Sequence, residues 1–544
     1  MKIALAQINT VVGDYQANLD KIAAFTQKAH AQGADLVVFP ELALCGYPPL
    51  DLLYRPSFVR ACEQAVRPLL TRVPEGIGVV VGGIERNPAP HGRRLFNTAF
   101  YLENGQVRTY HKQLLPSYDV FDECRYYEPG RAPLVIEKGG ERIGVTICED
   151  IWHVLPELRY AHSPMDDLAR EDVSLVLNLS ASPFSVAHDA VRQEVLMRNG
   201  ARYGLPLLYV SMVGGQTHLL FDGGTRAMMP DGAVTAQAPF FEEALLIVEK
   251  KGDRWEGSRA PSVADDGDRL RRALVMALRD YFDKLGLNRR AIVGVSGGID
   301  SAVVLALAAE ALGPEAVMPV FLPSRFTSET TWRLVAELHQ RMGATYETVS
   351  IDEHYENMLR QLEAHWGSLP GNVTEENIQA RLRQTILMAY ANRENGVMLN
   401  TSNKSELAVG YGTLYGDMAG GVSVIGDVLK TQVYQLARAI NRAHDWIPEK
   451  IITRPPSAEL KADQKDTDTL PPYEVLDPIL VMLIEQEMSV EEVVQQGYDE
   501  GLVRRVWGMV QRNEYKRYQF PNIFRVSDRA FGYGRRVPIV GRWV

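Results

Sequence analysis

Hydrophobic and polar positions divide the chain into two stretches with different patterns. From Met1 to about Trp255, short β-rich runs alternate with helix-patterned segments, which predicts an α/β layered fold with many strands. The predicted strands lie in KIALAQI, ADLVVFP, residues 77–85, LFNTAFYLE, RIGVTICED, VSLVLNLS and LPLLYVSMVGG. From Leu270 onward, a helical run leads into the strand AIVGV, a helix from Ala302 to Leu312 and the strand VMPVFLP. This second pattern predicts a parallel, doubly wound sheet.

A polar stretch from Lys250 to Arg269 separates the two patterns. It contains Pro261 and an acidic cluster at 265–268, so we interpret its centre as a linker. The predicted organisation is a first domain over 1–257, a linker over 258–268 and a second domain over 269–544. Within the second domain, the proline-rich and poorly periodic stretch from Arg454 to Tyr473 predicts a mobile loop or lid.

Composition and charge exclude several classes of protein. Of the 544 residues, 46% are hydrophobic and 23% charged, a globular balance that excludes a disordered, collagenous or disulfide-scaffold chain. A net charge of −10 does not attract nucleic acid, and no run approaches the roughly 18 to 20 uncharged apolar residues that cross a bilayer. The four cysteines lie far apart without a CxxC pair, which argues against a structural zinc site. We therefore expect a cytoplasmic protein without nucleic-acid or membrane partners.

Three residues of the first domain stand where strand-like stretches end: Glu41 after ADLVVFP, Lys112 after residues 107–110 and Cys148 after RIGVTI. Side chains at strand ends of layered α/β folds can enter one crevice. A carboxylate can take the thiol proton, a thiolate can attack a carbonyl carbon, and an ammonium can hold the resulting oxyanion, which together permit amide cleavage. A buried structural cysteine and a surface Glu–Lys pair would give the same pattern, so the spacing alone leaves both interpretations open.

The sequence around these three residues resembles the nitrilase-type amidases. FPELALCGYPP, HKQLLPSYDVFDE and ICEDIW are similar, in order, to the signature blocks of that family, and the similarity covers most of residues 1–250. The resemblance implies a nitrilase-like αββα sandwich. The catalytic residues that it implies are Cys148 as nucleophile, Glu41 as general base, Lys112 as oxyanion-stabilising residue and Glu123 as supporting carboxylate. The other three cysteines match none of these roles.

The segment NLSASPFSVAHDAVRQE resembles the part of glutamine-specific nitrilase domains that holds the amino acid. The resemblance implies that Tyr118, Ser182 and His188 bind L-glutamine, which is then the nitrogen donor. His188 departs from the family pattern, because it stands where lysine or arginine is usual. A permanent charge is thereby replaced by one that titrates near neutrality.

A candidate phosphate loop opens the second domain. AIVGVSGGIDSAVVLALAAEAL combines an apolar strand, a tight glycine turn and a helix-forming run, so backbone amides, serine hydroxyls and a helix N-terminus can face a polyphosphate. The Walker pattern is absent, and Asp300 would repel a phosphate unless a divalent cation lies between them, so we expect Mg²⁺. The alternative is a structural glycine turn with Asp300 as a helix-capping acid.

The loop SGGIDS resembles that of ATP pyrophosphatases, which have the adenine nucleotide alpha hydrolase-like fold. By contrast, the glycine-rich segment from Gly410 to Gly416 lacks a preceding strand and the GxGxxG spacing, which excludes a dehydrogenase-type site. Further blocks of the second domain resemble the synthetase domain of the glutamine-dependent NAD⁺ synthetases. Among them are TEENIQARLRQTILMAYAN, NTSNKSELAVGYGTLYGDMAGG, DVLKTQVYQLAR, LPPYEVLD and NEYKR.

These resemblances imply a set of ligand-binding residues. The implied ATP-binding residues are Gly294, Val295, Ser296, Gly297, Gly298, Ile299, Asp300, Ser301 and Thr401. Asn377, Glu406 and Lys516 are implied to bind deamido-NAD⁺, and Asp300 and Glu406 to hold Mg²⁺. The helical pattern by itself indicates less, because Asn377, Arg381 and Gln384 form a polar stripe beside an apolar stripe of Ile378, Leu382 and Ile386, and polar stripes are usually solvated.

The implied reaction is the ATP-dependent amidation of deamido-NAD⁺ to NAD⁺ with ammonia from L-glutamine. It proceeds through an acyl adenylate and yields AMP, pyrophosphate and L-glutamate. The alternatives are an ATP-pyrophosphatase ligase with a different acid acceptor and a catalytically silent nucleotide sensor. Because ammonia loses its nucleophilic lone pair by protonation in bulk water, we expect an enclosed passage for it, and the family also implies a homo-oligomer. Labelled ammonia appearing in solution in step with NAD⁺ would argue against the passage.

Overall fold

The computed structural model describes residues 1–456, 459–461 and 469–541. The chain forms two compact units, unit 1 over Met1–Val263 and unit 2 over Ala264–Val544. This division lies inside the predicted linker at 258–268. The loop or lid predicted at 454–473 lies partly outside the described residues and stays a prediction. Within the described part of the chain, no helix combines the length and the apolar character that spanning a membrane requires.

Unit 1 is built on two main β-sheets. Its strands are β1 Lys2–Gln7, β2 Leu36–Val38, β3 Gly78–Arg86, β4 Leu95–Glu103, β5 Gln106–His111, β6 Val135–Lys138, β7 Glu141–Ile147, β8 Leu175–Ser180, β9 Leu207–Ser211, β10 Val213–Gln216, β11 Leu219–Asp222, β12 Arg226–Met228, β13 Val234–Gln237, β14 Ala244–Lys251 and β15 Arg254–Gly257. One sheet has seven strands in the order β15-β14-β1-β2-β3-β4-β5, and the other has six in the order β13-β12-β9-β8-β7-β6. Strands β10 and β11 form a separate pair.

Alternating strand residues explain how unit 1 is layered. Ile3 and Leu5 of β1 share one buried cluster with Leu177 and Leu179 of β8, so this cluster joins the inner faces of the two sheets. The opposite face of β8, with Val176, packs under helices. The helices of unit 1 are α1 Tyr15–Ala31, α2 Pro56–Arg72, α3 Pro164–Arg170 and α4 His188–Tyr203. Since α1 and α2 contact the seven-stranded sheet and α3 and α4 cover the other, the predicted αββα sandwich is confirmed.

Unit 2 contains one parallel sheet. Its strands are β16 Ala291–Val295, β17 Val317–Phe321, β18 Glu347–Thr348, β19 Val397–Asn400, β20 Val422–Ser423 and β21 Asn522–Ile523. Their order is β18-β17-β16-β19-β20-β21, and every pairing is parallel. The order reverses between β16 and β19, so the residues that follow these two strands meet at one edge of the sheet.

Helices cover the parallel sheet of unit 2. They are α5 Asp266–Lys284, α6 Ile299–Leu312, α7 Glu329–Met342, α8 Asp352–Trp366, α9 Val373–Glu394, α10 Lys404–Val409, α11 Lys430–His444, α12 Glu449–Thr453, α13 Tyr473–Leu480, α14 Val490–Gln495, α15 Glu500–Arg512 and α16 Glu514–Arg517. Ile292 of β16 packs against Leu387 and Ala391 of α9. Helices α5 and α11 contact α6, which lies against β16 and β17. The predicted doubly wound parallel sheet is confirmed.

The stripes predicted for α9 are partly wrong. Gln384 is buried with its Nε2 3.1 Å from Met398 Sδ, whereas Ile378 and Leu382 are only half-buried. The helix turns Leu387 towards the sheet, and Gln384, one turn earlier, follows it into the interior. Packing against β16 and β19 therefore sets the buried face, which a hydropathy pattern of this sequence does not reveal.

Candidate functional sites

The three strand-end residues of unit 1 belong to one buried cluster. Glu41 follows β2, Lys112 follows β5 and Cys148 follows β7. Lys112 Nζ lies 2.8 Å from Glu41 Oε1 and 2.8 Å from Glu123 Oε1, and the side chains of Lys112 and Glu41 are 0% exposed. Cys148 is 4% exposed and has a φ of 40°, an uncommon backbone conformation for a residue with a side chain. Cys148 is close enough to Glu41, Lys112 and Glu123 for their charges to shift the pKa of its thiol, so the four predicted catalytic residues form one cluster.

Burial and charge set the protonation states in this cluster. Burial raises the pKa of the Cys148 thiol, the Glu41 carboxylate raises it further, and Lys112 lowers it less. Burial alone would lower the pKa of Lys112, but the carboxylates of Glu123 and Glu41 raise it well above its ordinary value. Burial raises the pKa of Glu123 to about 7, although Lys112 opposes that shift. The lysine is therefore a fixed cation, and the thiol needs a base before it can attack.

Two residues outside the predictions hold this cluster in place. Asn97 Nδ2 donates to Glu41 Oε1 at 2.7 Å. Asp150 Oδ1 accepts from the backbone N–H groups of Gln113 and Leu114, at 3.0 and 2.9 Å, and its Oδ2 accepts from Tyr110 Oη and the N–H of Ile147. Asp150 thereby ties the chain after Lys112 to the turn that carries Cys148. The position of Asp150 in the ICEDIW block indicates a role at the site. Asn97 is the third residue of β4, where no pattern of the sequence indicates one.

The three predicted glutamine-binding residues lie beside the short 3₁₀ helix Cys148–Val154: two of them pair with each other, and the third pairs with a residue of that helix. Ser182 Oγ lies 2.8 Å from His188 Nε2, and the His188 ring stacks on Trp152 with centroids 5.4 Å apart. Tyr118 Oη donates to Glu149 at 3.0 Å. Glu149, which sequence analysis did not single out, also accepts a 2.7 Å bond from Tyr160 Oη. Burial raises the pKa of Glu149, and the two hydroxyl groups act against that shift.

The candidate phosphate loop of unit 2 joins β16 to α6. Gly297 has a φ of 74°, and a Cβ there would lie 3.0 Å from Thr331 Cγ2, so the turn needs glycine. Ser296 Oγ lies 3.2 Å from Ser301 Oγ, and both hydroxyls are near the N-cap residue Gly298. The helix begins at Ile299, three residues earlier than predicted, which places Asp300 in its first turn.

Asp300 is held by two residues from beyond β19. Its Oδ1 accepts from Asn403 Nδ2 at 3.0 Å and its Oδ2 from Lys430 Nζ at 2.5 Å. Lys430 Nζ also lies 3.5 Å from Glu406 Oε1, so one ammonium group joins the two carboxylates that were predicted to hold Mg²⁺. Lys430 offsets the charge of Asp300, and the requirement for Mg²⁺ therefore does not follow from electrostatic repulsion alone. Among the described residues, no group of three or more His, Cys, Asp or Glu is arranged to hold a metal ion.

The remaining predicted ligands of unit 2 lie elsewhere on the same edge. Thr401 directly follows β19. Asn377 Oδ1 accepts from Thr413 Oγ1 at 2.7 Å, and Lys516 Nζ donates to the carbonyls of Gly410 and Gly412 at 2.8 Å each. The segment from Gly410 to Gly416 follows α10 rather than a strand, as predicted. Asn377 and Lys516 thus meet at this loop, whereas Glu406 belongs to the Asp300 cluster.

Sequence reasoning missed Lys430 and Asn403. Both stand inside blocks that resemble a known family, DVLKTQVY and NTSNKSE, yet neither has a spacing that predicts contact with Asp300. Asn403 lies 103 and Lys430 130 positions away from Asp300 in the chain. Only the meeting of β16 and β19 brings them together.

Comparisons with known proteins match both units. The family model described as "Carbon-nitrogen hydrolase" matches residues 2–259, and the one described as "NAD synthase" matches residues 270–520. The glutamine-dependent NAD(+) synthetase of Synechocystis sp. is 42% identical over 99% of this chain and 98% of its own length. That of Acinetobacter baylyi is 40% identical over 100% of this chain and 98% of its own length.

Solved structures agree with these relatives. The glutamine-dependent NAD⁺ synthetase of Acinetobacter baumannii is 37% identical and superposes with a TM-score of 0.78, covering 100% of this chain and 99% of its own. The enzyme of that name from Cytophaga hutchinsonii, at 20% identity, supports the fold alone, with a TM-score of 0.84 over 99% of this chain and 98% of its own.

The two folds and the two family matches define one enzyme that combines a carbon–nitrogen hydrolase unit with an NAD synthase unit. Relatives above 30% identity match this arrangement from end to end. The chain belongs to the family of glutamine-dependent NAD(+) synthetases, which are carbon–nitrogen ligases. The family, fold class and enzyme class predicted from the sequence are confirmed.

Proposed function

We propose that unit 1 releases ammonia from L-glutamine at Cys148 and that unit 2 uses ammonia to amidate deamido-NAD⁺ at the expense of ATP, giving NAD⁺. The observation that carries the proposal is the buried Lys112 ammonium, which bridges Glu41 and Glu123 in the cluster of Cys148. A lysine held charged inside a protein can stabilise the oxyanion that forms when a thiolate attacks an amide. This arrangement favours a catalytic unit over a silent nucleotide sensor.

The reaction in unit 1 begins with proton transfer from Cys148. Glu41, fixed by Asn97 and by the N–H of Ala181 at 3.1 Å, takes the thiol proton. The thiolate attacks the side-chain amide carbon of glutamine, and Lys112 stabilises the tetrahedral oxyanion. The proton returns to the leaving nitrogen, and the tetrahedral intermediate expels ammonia and becomes a thioester on Cys148. Water then hydrolyses the thioester to glutamate and the free thiol.

Polar and charged side chains beside Cys148 can bind both charged groups of a free amino acid. Glu149 is 2% exposed and oriented by two tyrosine hydroxyls, so its carboxylate is placed to receive the α-ammonium group of glutamine. Ser182 and His188 offer a hydroxyl and an imidazole to the α-carboxylate. This division of roles places the reactive amide at the Cys148 end.

The role of His188 predicts a selective loss of affinity. In His188→Ala, we expect the KM for glutamine to rise about tenfold or more, because a hydrogen bond to a charged carboxylate is lost. The rate with ammonium salts should not change. Steady-state kinetics with both nitrogen donors measures this, with His162→Ala, an exposed histidine, as the matched control. An unchanged KM for glutamine in His188→Ala would remove this residue from the site.

Glu123 predicts a pH dependence of glutamine use. With a pKa of about 7, Glu123 becomes protonated as the pH falls through neutrality and loses the negative charge that helps to fix the Lys112 ammonium. We therefore expect kcat/KM for glutamine to fall below about pH 7. In Glu123→Gln the rate should be about 100-fold lower and this acid limb should disappear. If the fall in kcat/KM below pH 7 persisted in Glu123→Gln, another group would be its cause. The control is Glu137→Gln, which removes an exposed carboxylate on β6.

In unit 2, the nicotinate carboxylate of deamido-NAD⁺ attacks the α-phosphate of ATP, which yields an acyl adenylate and pyrophosphate. The loop amides around Gly297 and Gly298, with the hydroxyls of Ser296 and Ser301, receive the phosphate charge. Ammonia then displaces AMP. The A. baumannii relative was solved in complex with ADP, which supports the binding of an adenine nucleotide by this chain.

Asp300 and Glu406, which Lys430 joins in the structure, would hold Mg²⁺ only together with the phosphates of bound ATP, because this ion is usually bound by one or two carboxylates and substrate phosphates. When bound there with ATP, it would supply charge neutralisation at the phosphates. We also propose that the enzyme works in the reducing cytoplasm, where its four free thiols persist, and as a homo-oligomer like nitrilase-type proteins in general.

The acid acceptor is tested by pyrophosphate release. The proposed function requires release with deamido-NAD⁺ and ATP, in step with NAD⁺ formation, when ammonium salts are the nitrogen source. An amidating ligase for another acid would release pyrophosphate with that acid and not with deamido-NAD⁺. Comparing deamido-NAD⁺ with nicotinate and with nicotinate mononucleotide therefore decides between the two.

A further inference from the structure

Helix α13 borders the cluster formed by Asp300, Lys430 and Glu406. Asp477, on this helix, is 2% exposed. Its Oδ1 accepts from Ser405 Oγ at 2.6 Å. Its Oδ2 accepts from both the backbone N–H and the Oγ1 of Thr431, at 2.8 Å each. A buried carboxylate thus joins the start of α10 to the start of α11.

The partners of Asp477 are direct sequence neighbours of the cluster. Ser405 precedes Glu406, and Thr431 follows Lys430. Ser405 Oγ also accepts from the backbone N–H of Lys430 at 2.9 Å, so a continuous chain of hydrogen bonds runs from Lys430 through Ser405 to Asp477. The negative charge also faces the N-terminal end of α11, where the helix dipole favours an anion.

A second contact from α13 reaches the Lys430 side chain itself. Lys430 Nζ lies 5.4 Å from the centroid of the Tyr473 ring, and Tyr473 stands four residues before Asp477, on the same face of the helix. The ammonium group is therefore placed from two sides, by the ring of Tyr473 and by the carboxylates of Asp300 and Glu406. Asp477 fixes the backbone from which the lysine extends.

We propose that Asp477 is a positioning residue for the ATP-dependent half of the reaction: it sets the backbone of Lys430 and Glu406 so that both side chains meet Asp300 at the phosphate loop. This inference rests on the proposed function of unit 2. Displacing Lys430 by removal of the Asp477 charge would weaken the interaction with the polyphosphate of ATP. The nitrogen donor would be unaffected, because no described contact of Asp477 reaches a group assigned to ammonia.

The test compares Asp477→Asn with Glu474→Gln in the full chain, using ammonium salts, deamido-NAD⁺ and ATP. Asparagine keeps the size of the side chain, but it removes the negative charge to which Thr431 and Ser405 donate hydrogen bonds. Glu474 is an exposed acid on the same helix and is the matched control. For Asp477→Asn we expect the KM for ATP to rise at least about tenfold, with the KM for ammonia unchanged, as for other residues that orient a binding group from behind. Glu474→Gln should match the wild type.

The KM for ATP separates positioning from loss of fold. Partial unfolding reduces the number of active molecules and lowers the apparent kcat, but it leaves the KM for ATP unchanged. Ser405→Ala, which breaks the bridge between Lys430 and Asp477, should raise the KM for ATP in the same direction, and it decides the question alone if Asp477→Asn does not fold. A KM for ATP equal to that of the wild type in the folded variants would overturn the inference. Failure of the wild-type protein to form NAD⁺ would instead overturn the proposed function and, with it, this inference.

Discussion

Cys148→Ala is expected to abolish glutamine-dependent NAD⁺ formation and to leave ammonia-dependent formation close to that of the wild type. The variant keeps the Lys112–Glu41–Glu123 cluster but has no atom that can form the thioester, so the glutamine-dependent rate should fall by at least about 1,000-fold. The measurement is the initial rate of NAD⁺ formation with glutamine and, separately, with ammonium salts.

The control for this substitution is Cys124→Ala. Cys124 is the exposed cysteine, and its Sγ contacts the carbonyl of Leu115 at 3.2 Å, so its removal should leave both rates unchanged. If Cys148→Ala used glutamine at the wild-type rate, the nucleophile would be assigned wrongly. If Cys148→Ala formed NAD⁺ from neither glutamine nor ammonium salts, the two half-reactions would not be separable in the way proposed.

Asp300→Ala is expected to abolish NAD⁺ formation from either nitrogen source. Without this carboxylate, Asn403 and Lys430 lose their partner at the phosphate loop, and a carboxylate assigned to the ATP-bound cation is gone. We expect a fall of about 100-fold or more in kcat/KM for ATP, as is common when a group that organises transferring phosphates is removed. The assay is pyrophosphate release with ammonium salts, which bypasses Cys148.

The matched control for Asp300→Ala is Asp283→Ala, at the exposed end of α5. It removes the same carboxylate and a surface pair with Arg289, so any effect on stability should be small and the kinetics unchanged. Normal activity of Asp300→Ala with ammonia would contradict the role assigned to the phosphate loop. The contrast with Cys148→Ala, which retains this activity, distinguishes the two sites.

The main catalytic candidates could be predicted because they stand at the ends of recognisable strands. Glu41 and Cys148 follow apolar β-patterns and Lys112 follows a strand-like stretch, and the layered fold directs such ends to one crevice. Asn97 could not be predicted in this way, because it reaches Glu41 from the interior of β4. Its position follows from the pairing of β4 with β3, which places it opposite Ile84, and this register is not visible in a local pattern.

In unit 2, the phosphate loop could be predicted, but the groups around it could not. A glycine turn between an apolar strand and a helix-forming run is a local signal. Lys430, by contrast, reaches the loop, and Asp477 reaches the residue after Lys430, through the order of the strands and the packing of α11 and α13. Tertiary packing also decides which face of α9 is buried. The polar stripe therefore predicts Gln384 in solvent, whereas the structure has it in the interior.

The most direct test of the two-part reaction follows the amide nitrogen of glutamine. The enzyme is supplied with L-glutamine labelled with ¹⁵N in its side-chain amide, together with deamido-NAD⁺ and ATP, and the products are identified by mass spectrometry. We expect NAD⁺ that carries the label in its carboxamide, with AMP and pyrophosphate formed in equal amounts and glutamate as the further product. Unlabelled NAD⁺, or conversion of ATP to ADP and phosphate in place of AMP and pyrophosphate, would contradict the two-part reaction.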